Sequence, residues 1–369
     1  MVTILTSKTV HPRVRRLLGL FLLSGILGWG LEASADTKEG SSQPQFNVGY
    51  QVLELKYGKE GQEATLTVAV WYPTLEQPQL HHYGGPTSGN VAADAPPLTE
   101  SGPYPLLVFS HGYGGGGISA VFLTEALAAR GWIVACPDHH DKYSAVRIRM
   151  GPVKDCDRRS LLNEARQIAA SKPGDRGKYL YRLDEMRFVL DGMLASGLFG
   201  KLIDRDRIAV GGHSFGGFAA LGLSGTMEER HDPRIKAALL FSTGAGGYLY
   251  EEKEIRAVQI PSMLFMGERE RNQLRGTETM WELSTKIYRN LSSPKYFLVV
   301  KGASHFSFNN NFLDSRMTGL LGGTEKQFEV IRRYSIAFLE RYVAGRHDPG
   351  HVLEQNDPML IRYDQELAR

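Results

Sequence analysis

The sequence predicts an α/β protein, a mostly parallel sheet with helices on both faces. Three observations point there. Short, fully apolar runs alternate with amphipathic stretches from residue 104 to 343. The runs lack polar alternation, as strands covered on both faces do. No internal repeat or composition break divides the chain, so residues 36–369 are expected to form one domain. With 42% hydrophobic and 22% charged residues, the composition is globular and excludes collagen-like, coiled-coil and disordered classes.

Residues 1–35 read as a secretory leader. Lys8, Arg13, Arg15 and Arg16 precede the apolar run 17–31, and Ala33-Ser34-Ala35 supplies the small residues of a cleavage site. Export to a periplasm or the exterior is therefore expected, with Asp36 as the mature N-terminus. The other reading is an uncleaved anchor, but the run falls short of the ~20 residues needed to span a bilayer. The leader carries four basic residues and one acidic, so of 43 and 40 in the whole chain, 39 of each remain after it. Such a balance offers no field for a phosphate backbone, which argues against a nucleic-acid partner. In an oxidising compartment the two cysteines, Cys136 and Cys156, are expected to bridge; two unpaired thiols are the alternative.

After a polar stretch at 36–45, residues 46–55 and 64–72 read as strands, the second rich in β-branched and aromatic residues (ATLTVAVWY). Residues 73–103, with Pro, Gly, His, Asn and Ser and no apolar period, read as one long surface loop. The alternating region starts with a strand at 106–110, a helix at 120–130 and a strand at 132–136. Residues 158–195 read as helix broken at Lys172-Pro173-Gly174, with Leu183, Met186, Val189, Leu190 and Met193 at helical spacing. Then follow a strand at 208–211, a helix from Phe215, strands at 237–242 and 262–266, a helix at 280–290, a strand at 296–300 and a helix at 325–343.

Gly212-His213-Ser214-Phe215-Gly216 fits G-x-S-x-G between a strand and a helix, the context in which this motif presents a nucleophile. The tight turn lifts the Ser214 hydroxyl above the sheet edge, at a helix N-terminus that favours negative charge. A serine hydroxyl needs a general base, and His305 stands just past the strand 296–300 at the same sheet edge. The base needs an orienting acid, and the loop after the strand 262–266 offers Glu268 and Glu270 but no Asp. Glu270 is preferred. Acyl transfer also needs N–H donors at the developing oxyanion. Phe215 supplies one, and Tyr113 in the run Ser110-His111-Gly112-Tyr113-Gly114-Gly115-Gly116-Gly117 supplies the other. That glycine-rich loop lacks the G-x-G-x-x-G and G-K-[ST] patterns of nucleotide sites, so no nucleotide cofactor is expected. Asp138-His139-His140-Asp141 has metal-ligating residue types without a second ligand set, so it reads as a hydrogen-bonded loop under the site's rim and no metal is expected.

The stretches YPLLVFSHGYGG (104–115), ALAARGWIVACPDHHDKYSA (126–145), DRIAVGGHSFGG (206–217) and KGASHFSF (301–308) resemble α/β-hydrolases of the platelet-activating-factor acetylhydrolase type, close to secreted dienelactone-hydrolase-like esterases. The resemblance covers roughly residues 65–343. It implies an α/β-hydrolase fold and a calcium-independent serine carboxylic ester hydrolase without a cofactor. Ser214 would be nucleophile, His305 base, and Tyr113 and Phe215 oxyanion donors. The family's acid is usually Asp, and here Glu270 departs from that. Implied substrates are short-chain or oxidised-acyl phospholipids or other short-chain esters, with transient contact to a lipid surface for a lipid substrate. A polyester or cutinase-like hydrolase is the alternative within enzymes, and an inactive binding protein on the same fold the alternative outside them.

Overall fold

Eleven strands form one sheet in the computed structural model, which describes residues 45–57, 64–84, 86–153, 156–310, 322–346 and 350–367. The leader expected over residues 1–35 lies outside the described residues. The described residues open with β1 (Asn47–Tyr57) and β2 (Ala64–Thr74), an antiparallel pair in register from Asn47–Thr74 to Tyr57–Ala64. β3 (Gln79–Gly84) and β4 (Thr87–Ala93) follow, then β5 (Tyr104–Ser110), α1 (Val121–Ala128) and β6 (Ile133–Pro137). A small hairpin of β7 (Val146–Arg147) and β8 (Gly151–Pro152) leads to α2 (Arg158–Ala169) and α3 (Tyr181–Ala195). Next come β9 (Ile203–His213), α4 (Phe215–Leu221), β10 (Ile235–Phe241), α5 (Gly244–Leu249), α6 (Glu252–Ile255) and β11 (Ser262–Gly267). A second small hairpin, β12 (Leu274–Arg275) with β13 (Glu278–Thr279), precedes α7 (Met280–Asn290), β14 (Lys295–Val300), α8 (Glu325–Leu339) and β15 (Leu360–Glu366).

The sheet order is β15-β14-β11-β10-β9-β5-β6-β2-β1-β4-β3. Its middle six strands, β14 to β6 in that order, are all mutually parallel. Along β5, Leu106 and Val108 join the apolar cluster under α3, α4 and α7, while Leu107 and Phe109 join the one under α1 and α8. Period-two alternation thus feeds two cores, one on each face, which is why these runs carry no polar residues. The result is the α/β-hydrolase fold that the resemblance implied. The chain places β6 on one side of β5 and then crosses back to lay β9 on the other. Such a reversal opens a crevice beyond the carboxyl ends of the strands, and the candidate site lies there.

Three expectations need correction. Residues 73–103 are not one loop, because β3 and β4 form a hairpin at the sheet's far edge. An edge strand keeps one side wet, so Gln79, Leu80 and His82 are exposed and no apolar run marks it. Tyr83, the one buried residue of β3, anchors it inward, its hydroxyl accepting the Trp71 indole N–H at 2.9 Å. The sheet does not end at β14 either, since β15 pairs antiparallel to it from Lys295–Glu366 to Val300–Leu360. Its sequence, LIRYDQE, is again that of an edge strand. Finally, Cys136 and Cys156 are both free thiols. β6 directs Cys136 into the core beneath α1, where burial pushes its thiol pKa up, while Cys156 lies half-buried just ahead of α2. No helix among the described residues is long and apolar enough to cross a membrane.

Candidate active site

β9 ends at His213 and α4 begins at Phe215, leaving Ser214 alone at the corner with φ of 54° and ψ of −116°. A non-glycine residue is strained there, and the turn must be held from outside. The Ser214 N–H donates to the Phe241 carbonyl at 2.8 Å, and the Thr243 hydroxyl donates to the Ser214 carbonyl at 3.0 Å. The flanking glycines are required by closeness. A Cβ on Gly216 would stand 2.0 Å from the Ser110 carbonyl oxygen, and one on Gly212 would stand 2.3 Å from the Gly216 backbone.

His305 lies 2.8 Å from this hydroxyl, measured from Nε2 to Ser214 Oγ. Its Nδ1 is 3.0 Å from Glu270 Oε2. Glu270 is fully buried on the turn after β11 and also accepts the Gly267 N–H through Oε1 at 2.6 Å. Glu268 points elsewhere, accepting the Gly302 N–H at 2.7 Å and so tying the β11 turn to the loop that carries His305. Of the two glutamates in the expected acid loop, Glu270 is therefore the one that meets the histidine.

Sequence reasoning missed Ser242. It follows β10 at φ of 46°, donates its hydroxyl to Glu270 Oε2 at 2.5 Å and stands 2.6 Å from His305 Nδ1. Carboxylate, hydroxyl and imidazole thus form a closed triangle that restricts the ring's orientation. A positive φ at a non-glycine strand end is the structural signal, and no pattern in the chain announces it. His213 supports the same ring from the other side, with its Nε2 2.8 Å from the His305 carbonyl and its ring centroid 4.9 Å away. Burial, and then the neighbouring His305, hold His213 well below the usual histidine range, so it is neutral.

Both expected oxyanion donors are backbone groups, and neither the Tyr113 nor the Phe215 N–H has an acceptor among the described residues. The loop that carries Tyr113 is fixed by Gly115 N–H on the Gly112 carbonyl (3.0 Å), Gly117 N–H on Asp138 (2.8 Å) and Ala145 N–H on the Gly114 carbonyl (2.7 Å). Underneath lies a buried polar layer. Arg182, fully buried on α3, pairs with Asp141 and donates to the His111 carbonyl at 2.5 Å, its guanidinium 4.8 Å from the Phe215 ring centroid. Burial raises the Asp141 pKa, but Arg182 and the neighbouring histidines together outweigh it and hold the carboxyl below its usual range.

Beside that pair, Ser110 Oγ lies 2.8 Å from His139 Nε2, and His139 Nδ1 lies 2.6 Å from Glu185. His140 Nδ1 reaches the other Glu185 oxygen at 2.8 Å. Burial lowers the His139 pKa, so the ring is neutral and donates to an ionised Glu185, which accepts from both histidines against the cost of burial. The Asp138–Asp141 run is thus spent on internal hydrogen bonds, Asp138 on the Gly117 and Ile148 N–H groups, both histidines on Glu185, and Asp141 on Arg182. Among the described residues no three His, Cys, Asp or Glu side chains converge as metal ligands.

Over 271 residues the chain is 27% identical to a platelet-activating factor acetylhydrolase of Cavia porcellus, a match covering 67% of this chain and 59% of that protein. The protein of the same name from Canis lupus familiaris is 24% identical over 311 residues, covering 73% of this chain and 63% of its own. The chain therefore spans about three fifths of the length of these relatives. A ferulic acid esterase from Streptomyces cinnamoneus superposes with a TM-score of 0.63 at 22% identity, over 88% of this chain and 99% of that one. That likeness is one of fold. The family model described as PET hydrolase-like matches residues 80–351, well over half of the chain and every segment of the site above, and so the chain belongs to the PET hydrolase-like family.

Proposed function

We propose that the protein is a serine ester hydrolase working through an acyl-enzyme, with Ser214, His305 and Glu270 as its catalytic residues and the Tyr113 and Phe215 N–H groups as its oxyanion hole. The single observation carrying this reading is the continuous relay from Ser214 Oγ through His305 to buried Glu270, at 2.8 and 3.0 Å. His305 Nε2 takes the hydroxyl proton as Oγ attacks the ester carbonyl. The charge that develops on the carbonyl oxygen meets the two N–H groups, each such donor being worth about 10²–10³ in rate. Collapse expels the alcohol, which His305 protonates, and a water deprotonated by the same nitrogen then releases the acid. Glu270 keeps the Nδ1 proton in place and stabilises the imidazolium.

Short-chain or oxidised-acyl phospholipids and other short-chain esters are the proposed substrates, supported by the acetylhydrolase relatives. The family match favours a second reading, a polyester, because the family is described by a polymer-hydrolysing activity. Export through cleavage before Asp36 belongs to either reading. The test is a p-nitrophenyl ester series from acetate to palmitate, run beside a 2-acetyl phospholipid and a polyester film, with a fluorophosphonate probe. Labelling lost in Ser214→Ala and activity concentrated on the short esters support the first reading. Activity on the film alone selects the second, and no labelling at all makes the fold a binding protein.

A further inference from the structure

A cavity of about 560 Å³ lies beside Tyr113 and draws its walls from α2, the turn after it and the start of α3. It does not include Ser214, and the connection runs through aromatic rings. Tyr113 and Tyr179 both line it, and both rest edge-on against the Phe215 ring at centroid distances of 6.2 and 5.3 Å. Tyr113 and Phe215 are also the residues whose N–H groups would hold the ester carbonyl, so the cavity adjoins the loop that carries one of the two proposed donors. Its size suits a small-molecule subsite.

The lining is polar and balanced. Lys178 is paired with Asp175 at 2.9 Å, and Lys142 faces Glu164 at 3.8 Å. His140, also in the wall, is paired with Glu185 at 2.8 Å, so each cationic group of the lining has its own carboxylate and no unpaired charge is left to hold a phosphate, a carboxylate or an ammonium group. The Lys142–Glu164 separation is too long for a hydrogen bond, so it leaves a donor and an acceptor side by side. A ligand hydroxyl can serve both at once. The Tyr179 and Tyr181 hydroxyls are already tied to Ser171 (2.8 Å) and Asp141 (2.7 Å), so what these residues offer a ligand is the apolar ring. Aromatic faces set among paired donors and acceptors match a neutral ring with C–H bonds on its faces and hydroxyls round its edge.

We propose that this cavity is the subsite for the alcohol half of the ester, and that this alcohol is a neutral polyol or sugar unit. The proposal rests on the ester-hydrolase reading. It is tested with one acyl group on different alcohols: a mono-acetylated methyl xyloside, ethyl acetate, p-nitrophenyl acetate and a 2-acetyl glycerophosphocholine. Wild type should favour the xyloside over ethyl acetate by about tenfold or more in kcat/KM. Glu164→Ala and Gln167→Ala, both residues of the cavity wall on α2 and neither part of the relay, should raise KM for the xyloside by about tenfold while changing kcat/KM for p-nitrophenyl acetate by less than about twofold. Equal rates on xyloside and ethyl acetate, or parallel losses on every ester, overturn the proposal. So does a preference for the phosphocholine ester that Lys142→Ala abolishes, which would make the cavity a headgroup site. If no ester is hydrolysed, the parent reading falls instead, and saturation-transfer NMR with methyl xyloside decides the cavity. Signal on wild type that Glu164→Ala removes supports it, and no signal on wild type overturns it.

Discussion

At the scale of single residues, the relay and its neighbours set measurable differences. Ser214→Ala should lower kcat by about 10⁴ or more, His305→Ala should do the same, and the double variant should be little worse than either, because residues acting as a unit are not additive. Steady-state rates on p-nitrophenyl acetate, with unchanged circular dichroism, check this. Glu270→Gln keeps the shape but loses the charge facing His305, and a comparable change in another serine triad costs ~10⁴ in kcat. Glu268→Gln keeps its hydrogen-bonding oxygen for Gly302 and should cost less than about tenfold. A dead Glu268→Gln beside an active Glu270→Gln would falsify the acid assignment. Ser242→Ala removes one corner of the triangle around His305 Nδ1 and leaves Glu270 in contact. Its kcat should fall by about tenfold, between the two glutamate variants, with KM unchanged.

Among elements, the seam between α1 and the β3–β4 hairpin carries a titratable group. Glu125 on α1 faces Gly89 of β4 so closely that a Cβ there would stand 1.8 Å from its carboxyl oxygen. Burial raises its pKa to about 7, against hydrogen bonds from Tyr83 and Asn90 that lower it. The folded chain therefore holds a proton that the unfolded chain gives up near the ordinary carboxyl range of ~4.3. Between those two values the native state binds more protons, so this contribution to stability is full below about pH 4 and falls as the pH rises through 7. Glu125→Gln should flatten that fall, with a melting temperature raised more at pH 8 than at pH 5. Equal shifts at both pH values would show that the seam does not titrate. Elements also explain the missed hairpin and the missed β15. Both lie at the ends of the sheet, where β3 and β15 are edge strands whose exposed sides carry polar residues, so their sequences resemble loops until a neighbouring strand supplies the pairing.

Across the whole molecule, Arg182 joins parts distant in sequence. It sits on α3, pairs with Asp141 from the loop after β6, and holds the His111 carbonyl at the exit of β5. Removing one member leaves an uncompensated buried charge, so Arg182→Met or Asp141→Asn should destabilise by about 3–5 kcal/mol, measured by urea unfolding. The pair Arg182→Met with Asp141→Leu should recover part of that, because neither charge is then stranded. The recovered variant should still turn over esters slowly, since the loop bearing Tyr113 has lost its anchor at His111. The two cysteines make a separate whole-chain prediction. Cys136 is buried in the core and Cys156 stands before α2, so denaturing alkylation without reductant should label two thiols. One intermolecular or intramolecular bridge in intact mass would contradict it.

What the sequence determined by itself was everything dictated by local pattern. Apolar runs of strand length required a sheet covered on both faces, and G-x-S-x-G between strand and helix required Ser214 at a strained corner. The offset of His305 past β14 put it at the same sheet edge, where its Nδ1 lies 3.0 Å from Glu270. The tertiary structure decided what depends on partners far along the chain. Ser242 gains its place only because β10 lies beside β11, 28 residues away in sequence from the carboxylate it bonds. Asp138-His139-His140-Asp141 looks like ligand chemistry when read along the chain, and Arg182, Glu185 and Ser110 turn it into scaffolding beneath the loop that carries Tyr113. The cysteines looked like a pair because they were the only two, yet β6 had already committed Cys136 to the core. Periodicity records which face a residue occupies, whereas the groups that meet across faces are set by the order in which the strands pair, and no local pattern carries that order.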